Sequence, residues 1–191
     1  MLKLCGKNEQ GETVADETRD HEFWKTQPVP ALNANIPKNV NYPIEPDKKK
    51  EEISKEPLPL PEGLKFVTVN LHKEEEIKEM YNLLCENYVE DASSSFRFKY
   101  SPDFLRWALT PPGYNPDWIV GIRKIDNNEL ICLITAIPVT IRLQDRAIKM
   151  AEVNFLCVNK NLRDKRIAPL LIQEVTRRIH LTGFYLNYLS F

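Results

Sequence analysis

From residue 64 onward, apolar and polar positions fall into two periods. LKFVTVN (64–70) alternates like a strand, with Leu64, Phe66 and Val69 apolar. KEEEIKEMYNLLCENY (73–88) carries Ile77, Met80, Tyr81, Leu84 and Tyr88 at helical spacing, with Glu74, Glu75 and Glu76 complementing the dipole of its first turn. SPDFLRWAL (101–109) opens with a Ser N-cap and a Pro at the first helical position, and ends at TPPG. DWIVGIRKI (117–125) and LICLITAIPVTIRL (130–143) read as strands joined by the hairpin connection DNNE, and Pro138 is expected to bend or bulge the second. Residues 148–158 form another strand and 168–181 a helix, with Leu171, Val175 and Ile179 on one stripe and Gly183 as its stop. FYLNYLSF (184–191) reads as a last strand. Trp107 and Trp118 are read as core. The order β-α-α-β-β-β-α-β predicts an α/β (α+β layered) domain with a mixed sheet over 63–191.

Residues 1–62 are a different kind of chain. They hold eight of the fourteen prolines and the run EPDKKKEEISKEPLPLPE (45–62). Proline opposes helix and sheet pairing and the charges oppose collapse, so no packed core is expected there. One island, HEFWKTQPVP (21–30), places Phe23 and Trp24 in a polar arm, with Pro28 and Pro30 favouring an extended path. It reads equally as a sticky spot or as an arm that docks on the domain.

Composition narrows the function classes. A net charge of −1 argues against bulk binding to nucleic acid or membrane. Cys5, Cys85, Cys132 and Cys157 are far apart without metal-ligand spacing, which reads as reduced core thiols of a cytosolic protein, and no metal is indicated. The start, MLKLCGKNEQ, has no signal-peptide stretch, no run approaches transmembrane length, and no lipidation signal is seen. Cys157 lies in an apolar run with no His or Lys adjacent in sequence to lower its pKa, so it reads as a core thiol rather than a nucleophile. His21, His72 and His180 are isolated and none is assigned as a base.

The stretch with chemistry is EVNFLCVNKNLRDKRIAPLLIQEV (152–175). An apolar strand ends in Asn159, and Arg163, Lys165 and Arg166 follow just before a helix N-terminus. Such a terminus prefers anions, so a phosphate or pyrophosphate would satisfy dipole and cations together. The plain alternative is solvated surface charge, with Asp164 easing the repulsion. There is neither a Walker loop nor a dinucleotide glycine fingerprint.

Arg163-x-x-Arg166-x-Ala168 between strand and helix, with this order of elements, resembles the acyl-CoA-binding motif of GNAT-type acyltransferases. More specifically, the chain resembles the eukaryotic N-myristoyltransferase (glycylpeptide N-tetradecanoyltransferase) family. The matching stretches are HEFWKTQPVP (21–30), LCENYVEDASSSFRFKYSPDFLRWAL (84–109), the start of TPPGYNPDW (110–118) and EVNFLCVNKNLRDKRIAPLLIQEVTRR (152–178), from about His21 to Gly183.

The resemblance implies a GNAT-like fold and transfer of myristate from myristoyl-CoA, a co-substrate rather than a cofactor, to the N-terminal glycine of peptides or nascent proteins. It implies acyl-CoA contacts by Phe23, Trp24 and Glu22, where the family usually has Gln. Phe155, Leu156, Cys157 and Val158, then Arg163, Asp164, Lys165, Arg166, Ile167 and Ala168, would line the acyl-CoA site. The backbone N–H groups of Phe155 and Leu156 would form the oxyanion hole, which requires a local bulge that frees them from the sheet ladder. Val89, Asp91, Phe96 and Phe98 would border the peptide groove. The carboxylates of ENYVED (Glu86, Glu90, Asp91) are either a solvated helix end or part of a groove for the substrate ammonium.

Family members are about twice as long, with two GNAT-like halves, and this chain matches the N-terminal half. Much of the peptide groove and the chain-terminal carboxylate that serves as base belong to the other half. The expectation is therefore either an acyltransferase or a catalytically incomplete acyl-CoA-binding module, with an exposed apolar patch and low solubility. A nucleic-acid binder using the basic loop is a weaker third reading.

Overall fold

A computed structural model describes residues 5–7, 13–15, 22–30, 35, 45–46, 48–88, 99–143, 145–184 and 187–189. The chain divides into two compact units, 1–47 and 48–191.

In the first unit β1 (Cys5–Lys7) pairs antiparallel with β2 (Thr13–Ala15), and α1 (Glu22–Lys25) follows. Pairing was not expected here. Its physical basis is that the prolines begin only at Pro28, so nothing blocks a ladder in the first 27 residues. The island expected to be extended opens with the single helical turn of α1, and the path after Pro28 is non-helical.

The second unit holds β3 (Leu64–Thr68), α2 (Glu74–Asn87), α3 (Pro102–Leu109), β4 (Ile119–Lys124), β5 (Leu130–Leu143), β6 (Arg146–Val158), α4 (Ile167–Leu181) and β7 (Asn187–Leu189). The five strands stand in order β3-β4-β5-β6-β7, antiparallel except for the parallel β6–β7 pair. This is the mixed α/β layer expected from the sequence. Ile119–Arg123 of β4 and Leu130–Ala136 of β5 are buried throughout. Helices therefore cover both faces of the sheet's centre. On one face Ile77, Met80, Leu83 and Leu84 of α2 and Leu105 and Leu109 of α3 pack with Ile119, Leu133, Phe155 and Cys157. On the other, α4 lies against β4, β5 and β6 and buries Leu171, Val175 and Ile179.

Local chemistry sets the element ends. Ser101 Oγ accepts from Phe104 N at 3.1 Å and caps α3. Asn128 turns the β4–β5 hairpin at φ 57°. Arg123, 6% exposed, reaches from β4 to both carboxylate oxygens of Glu79 on α2 and donates to Asn128 O at 2.7 Å. Arg106 of α3 holds the first turn of α2 through Glu74 and the preceding Leu71 carbonyl.

Residues 48–62 belong with the second unit, although their composition groups them with the arm. Arg177 Nη1 donates to Ser54 O at 3.1 Å and to Lys55 O at 2.9 Å, which ties this proline-rich strap to α4.

Two expectations are overturned. β5 passes through Pro138 with unbroken register, Ala136↔Val153 to Thr140↔Lys149. β4 pairs with β5 only as far as Thr135, so Pro138 has a single neighbouring strand and is tolerated as at a sheet edge. Trp107 is 75% exposed rather than core. Leu105 and Leu109, one turn apart, take the buried stripe of α3 and leave Trp107 on the other side. Trp118 is buried as expected.

Candidate functional site

The site is built where β6 ends. Leu133 pairs with Cys157 and Thr135 with Asn154, so Ile134 alone faces two residues, Phe155 and Leu156. The bulge sits at the two residues whose N–H groups were expected to leave the ladder. Phe155 adopts φ 51°, a left-handed backbone uncommon for a bulky side chain. It is held by packing: the ring is buried and lies 5.7 Å from Tyr88 and 5.5 Å, edge-on, from Tyr100. The Phe155 N–H donates to Asn154 Oδ1 at 2.8 Å instead of to a strand.

A cleft of about 210 Å³ opens beside this bulge, lined by Tyr100, Phe104, Ala108, Leu109, Ile137, Glu152, Asn154 and Phe155. Its walls are mostly aromatic and aliphatic, with Asn154 and Glu152 as polar groups.

The basic loop follows. Asn159 N closes the ladder on Ile131 O at 3.0 Å, and its side chain accepts from Asn161 N at 3.0 Å, starting a 3-10 turn over Lys160–Lys165. Arg166 (φ 54°) links this turn to α4, whose N-terminus receives no side-chain cap. Among the described residues no side chain caps it, and an anion is the favoured partner for the N–H groups of such a turn. Arg163 is engaged elsewhere: its Nη2 donates to Asn87 O, the last carbonyl of α2, at 2.7 Å. One cation thereby complements the negative end of α2, and Lys165 and Arg166 flank the positive end of α4.

Cys132 and Cys157 are buried as expected of core thiols, whereas Cys85 is only half-buried. Burial pushes Cys132 and Cys157 up to about 12 each. Cys157, beside Leu83 O at 3.9 Å, is no nucleophile at neutral pH.

The structure brings Phe155–Val158 and Arg163–Ala168 into one continuous strand-loop-helix segment. Val89, Asp91, Phe96 and Phe98, with Glu90, lie outside the described residues. Glu22, Phe23 and Trp24 fall in α1 of the first unit. Sequence reasoning missed Asn87 and Asn154, whose signals were slight: an Asn closing an apolar helix face, and an Asn before a bulge.

Solved structures share this fold. A Saccharomyces cerevisiae N-myristoyltransferase with bound myristoyl-CoA matches with a TM-score of 0.81 at 39% identity, over 87% of this chain and 39% of that one. A second structure of that yeast enzyme gives 0.83 at 37% identity, over 91% and 40%. The layered fold is therefore that of part of an N-myristoyltransferase. The chain belongs to the family described as Myristoyl-CoA:protein N-myristoyltransferase, N-terminal domain, whose family model matches residues 43–189. Among curated relatives, a probable glycylpeptide N-tetradecanoyltransferase of Caenorhabditis elegans is 48% identical over 172 residues, covering 89% of this chain and 38% of its own length. Glycylpeptide N-tetradecanoyltransferase 2 of Danio rerio is 51% identical, covering 89% and 34%. The chain thus spans well under half the length of these relatives.

Proposed function

We propose that this chain carries the acyl-CoA half of a glycylpeptide N-tetradecanoyltransferase, and that it acts on myristoyl-CoA and the N-terminal glycine of peptides or nascent proteins. The observation that carries the reading is the bulge opposite Ile134, which takes Phe155 and Leu156 out of the ladder beside a basic loop and an uncapped helix N-terminus. In this reading the phosphates of CoA sit at the loop and the first turn of α4, and the thioester carbonyl faces the bulge. The N–H groups of Phe155 and Leu156 stabilise the oxyanion as the glycine amine attacks. The C–N bond forms, the tetrahedral adduct collapses, the C–S bond breaks, and CoA leaves as thiolate, while the proton lost by the amine passes through solvent water to that thiolate. To accept the carbonyl, Phe155 N–H must exchange Asn154 Oδ1 for the thioester oxygen. Glu22, Phe23 and Trp24 are assigned to the acyl-CoA, and Val89, Asp91, Phe96 and Phe98 to the peptide. Among the described residues no helix is long and apolar enough to cross a membrane. The cytosol, where acyl-CoA and nascent chains meet, is the proposed location.

The test is calorimetric titration with a non-hydrolysable myristoyl-CoA analogue, with CoA alone as control. Binding that exceeds CoA alone is expected. No binding by a folded sample overturns the reading. Mass spectrometry of a glycyl peptide incubated with myristoyl-CoA then separates acyl transfer from binding alone.

A further inference from the structure

Asn87 is 7% exposed and belongs neither to the expected acyl-CoA contacts nor to the apolar core around it. Three bonds converge on it. Its Nδ2 donates to Leu83 O at 3.0 Å within α2. Its Oδ1 accepts from Lys160 N at 3.0 Å, the first residue of the basic turn. Its own carbonyl accepts from Arg163 Nη2 at 2.7 Å. One buried amide thus satisfies the backbone at both ends of the junction between α2 and the basic loop. A buried amide in such a place is worth its hydrogen bonds only when every partner is present, so the arrangement specifies one loop position.

The loop is short and exposed. Asn159 anchors its start on the sheet, Arg166 ends it in a left-handed conformation, and the residues between are mostly exposed or half-buried. Lys160–Lys165 form only a short 3-10 turn, which has little stability alone. The Asn87 side chain holds the first residue of this turn to α2, and Arg163 adds a bond to the Asn87 backbone carbonyl.

We propose that Asn87 is a positioning residue for the nucleotide phosphates of the acyl-CoA: it sets the basic loop so that the N–H groups and cations before α4 meet a phosphate already in place. This rests on the acyl-CoA reading above. It predicts an effect confined to the phosphate-bearing part of the ligand. Loss of Asn87 leaves the thioester bulge and the apolar cleft intact, since neither contains it.

The experiment compares two non-hydrolysable probes, a myristoyl-CoA analogue and the matching S-alkyl pantetheine without nucleotide phosphates. Both are titrated into the full chain, the Asn87→Ala variant and the Leu105→Ala variant. Leu105, wholly buried on α3, is the control for general destabilisation. Asn87→Ala is expected to weaken the CoA probe about tenfold, the scale of one or two lost buried hydrogen bonds, and the pantetheine probe by less than about twofold. The dependence of CoA affinity on salt should flatten in the same variant. Asn87→Ser, which keeps a short donor and acceptor, serves where the Ala variant does not fold, and is expected to show the same selectivity at smaller amplitude. Equal losses for both probes, or the same pattern in Leu105→Ala, would reduce Asn87 to a structural residue and overturn the proposal. Failure of the unaltered chain to bind the CoA probe at all would instead remove the acyl-CoA reading.

Discussion

Asn154 Oδ1 holds the backbone N–H of its neighbour Phe155 at 2.8 Å, so the chain's own amide occupies a donor that the proposed thioester needs. The exchange between the two acceptors should be measurable. Asn154→Ala removes the internal competitor. An acyl-CoA analogue carrying a ketone should then gain about threefold to tenfold in affinity over the same analogue with a methylene in place of the carbonyl. An unchanged ratio between the two analogues would place the carbonyl away from Phe155.

The thiols give a second prediction. Cys132 and Cys157 are held up to about 12 by burial, whereas Cys85 is only half-buried. Alkylation at pH 8 should label Cys85 in the folded chain, and Cys132 and Cys157 only after denaturant is added. Rapid native labelling of Cys157 would reopen its candidacy as a nucleophile.

Acid stability should report on Glu174. This carboxylate is 1% exposed, and Arg177 and Arg178 both donate to it, at 2.8 Å and 2.6 Å. Burial works to raise its pKa, but the two guanidinium groups outweigh burial and hold it below the ordinary value of 4.5. A lowered folded pKa stabilises fully above the unfolded value and is lost as pH falls through the folded one. Glu174→Gln should cost about 3 kcal/mol near neutral pH, by leaving two arginines without their buried counter-charge. The gap between wild type and variant in urea melts should narrow below about pH 4.5. A gap independent of pH would contradict the assignment.

Gly121 is a test of packing. A Cβ there would meet Leu130 Cδ1 at 2.7 Å, Val69 Cγ2 at 3.0 Å and Val67 Cγ2 at 3.1 Å. Gly121→Ala should destabilise the domain by about 2 kcal/mol through overpacking of β4 against its neighbours. A thermal midpoint at or above that of the parent would show that the leucine and valines yield freely.

The elements of the second unit were legible because their signals are local. The Asn-Asn turn, the Ser-Pro cap and the glutamates of α2 each act within a few residues. Trp107 misled because α3 is apolar on several sides, and periodicity cannot say which apolar residue wins the core. The attachment of the strap at 48–62 comes from Arg177, more than a hundred residues away, which no local pattern reveals. The bulge at Phe155 carries no glycine or turn residue, so only family resemblance pointed to it. Asn87 gave only a slight signal, since its partners Lys160 and Arg163 lie far along the chain.

Three arginines from three elements grip α2: Arg106 at its first turn, Arg123 midway and Arg163 at its last residue. The helix can neither slide nor rotate by a turn without breaking all three grips together. It behaves as a strut about 20 Å long, from its fourteen residues at 1.5 Å each. A shift of the basic loop would then reach α2 through Arg163, with Arg123 and Arg106 resisting it along the helix.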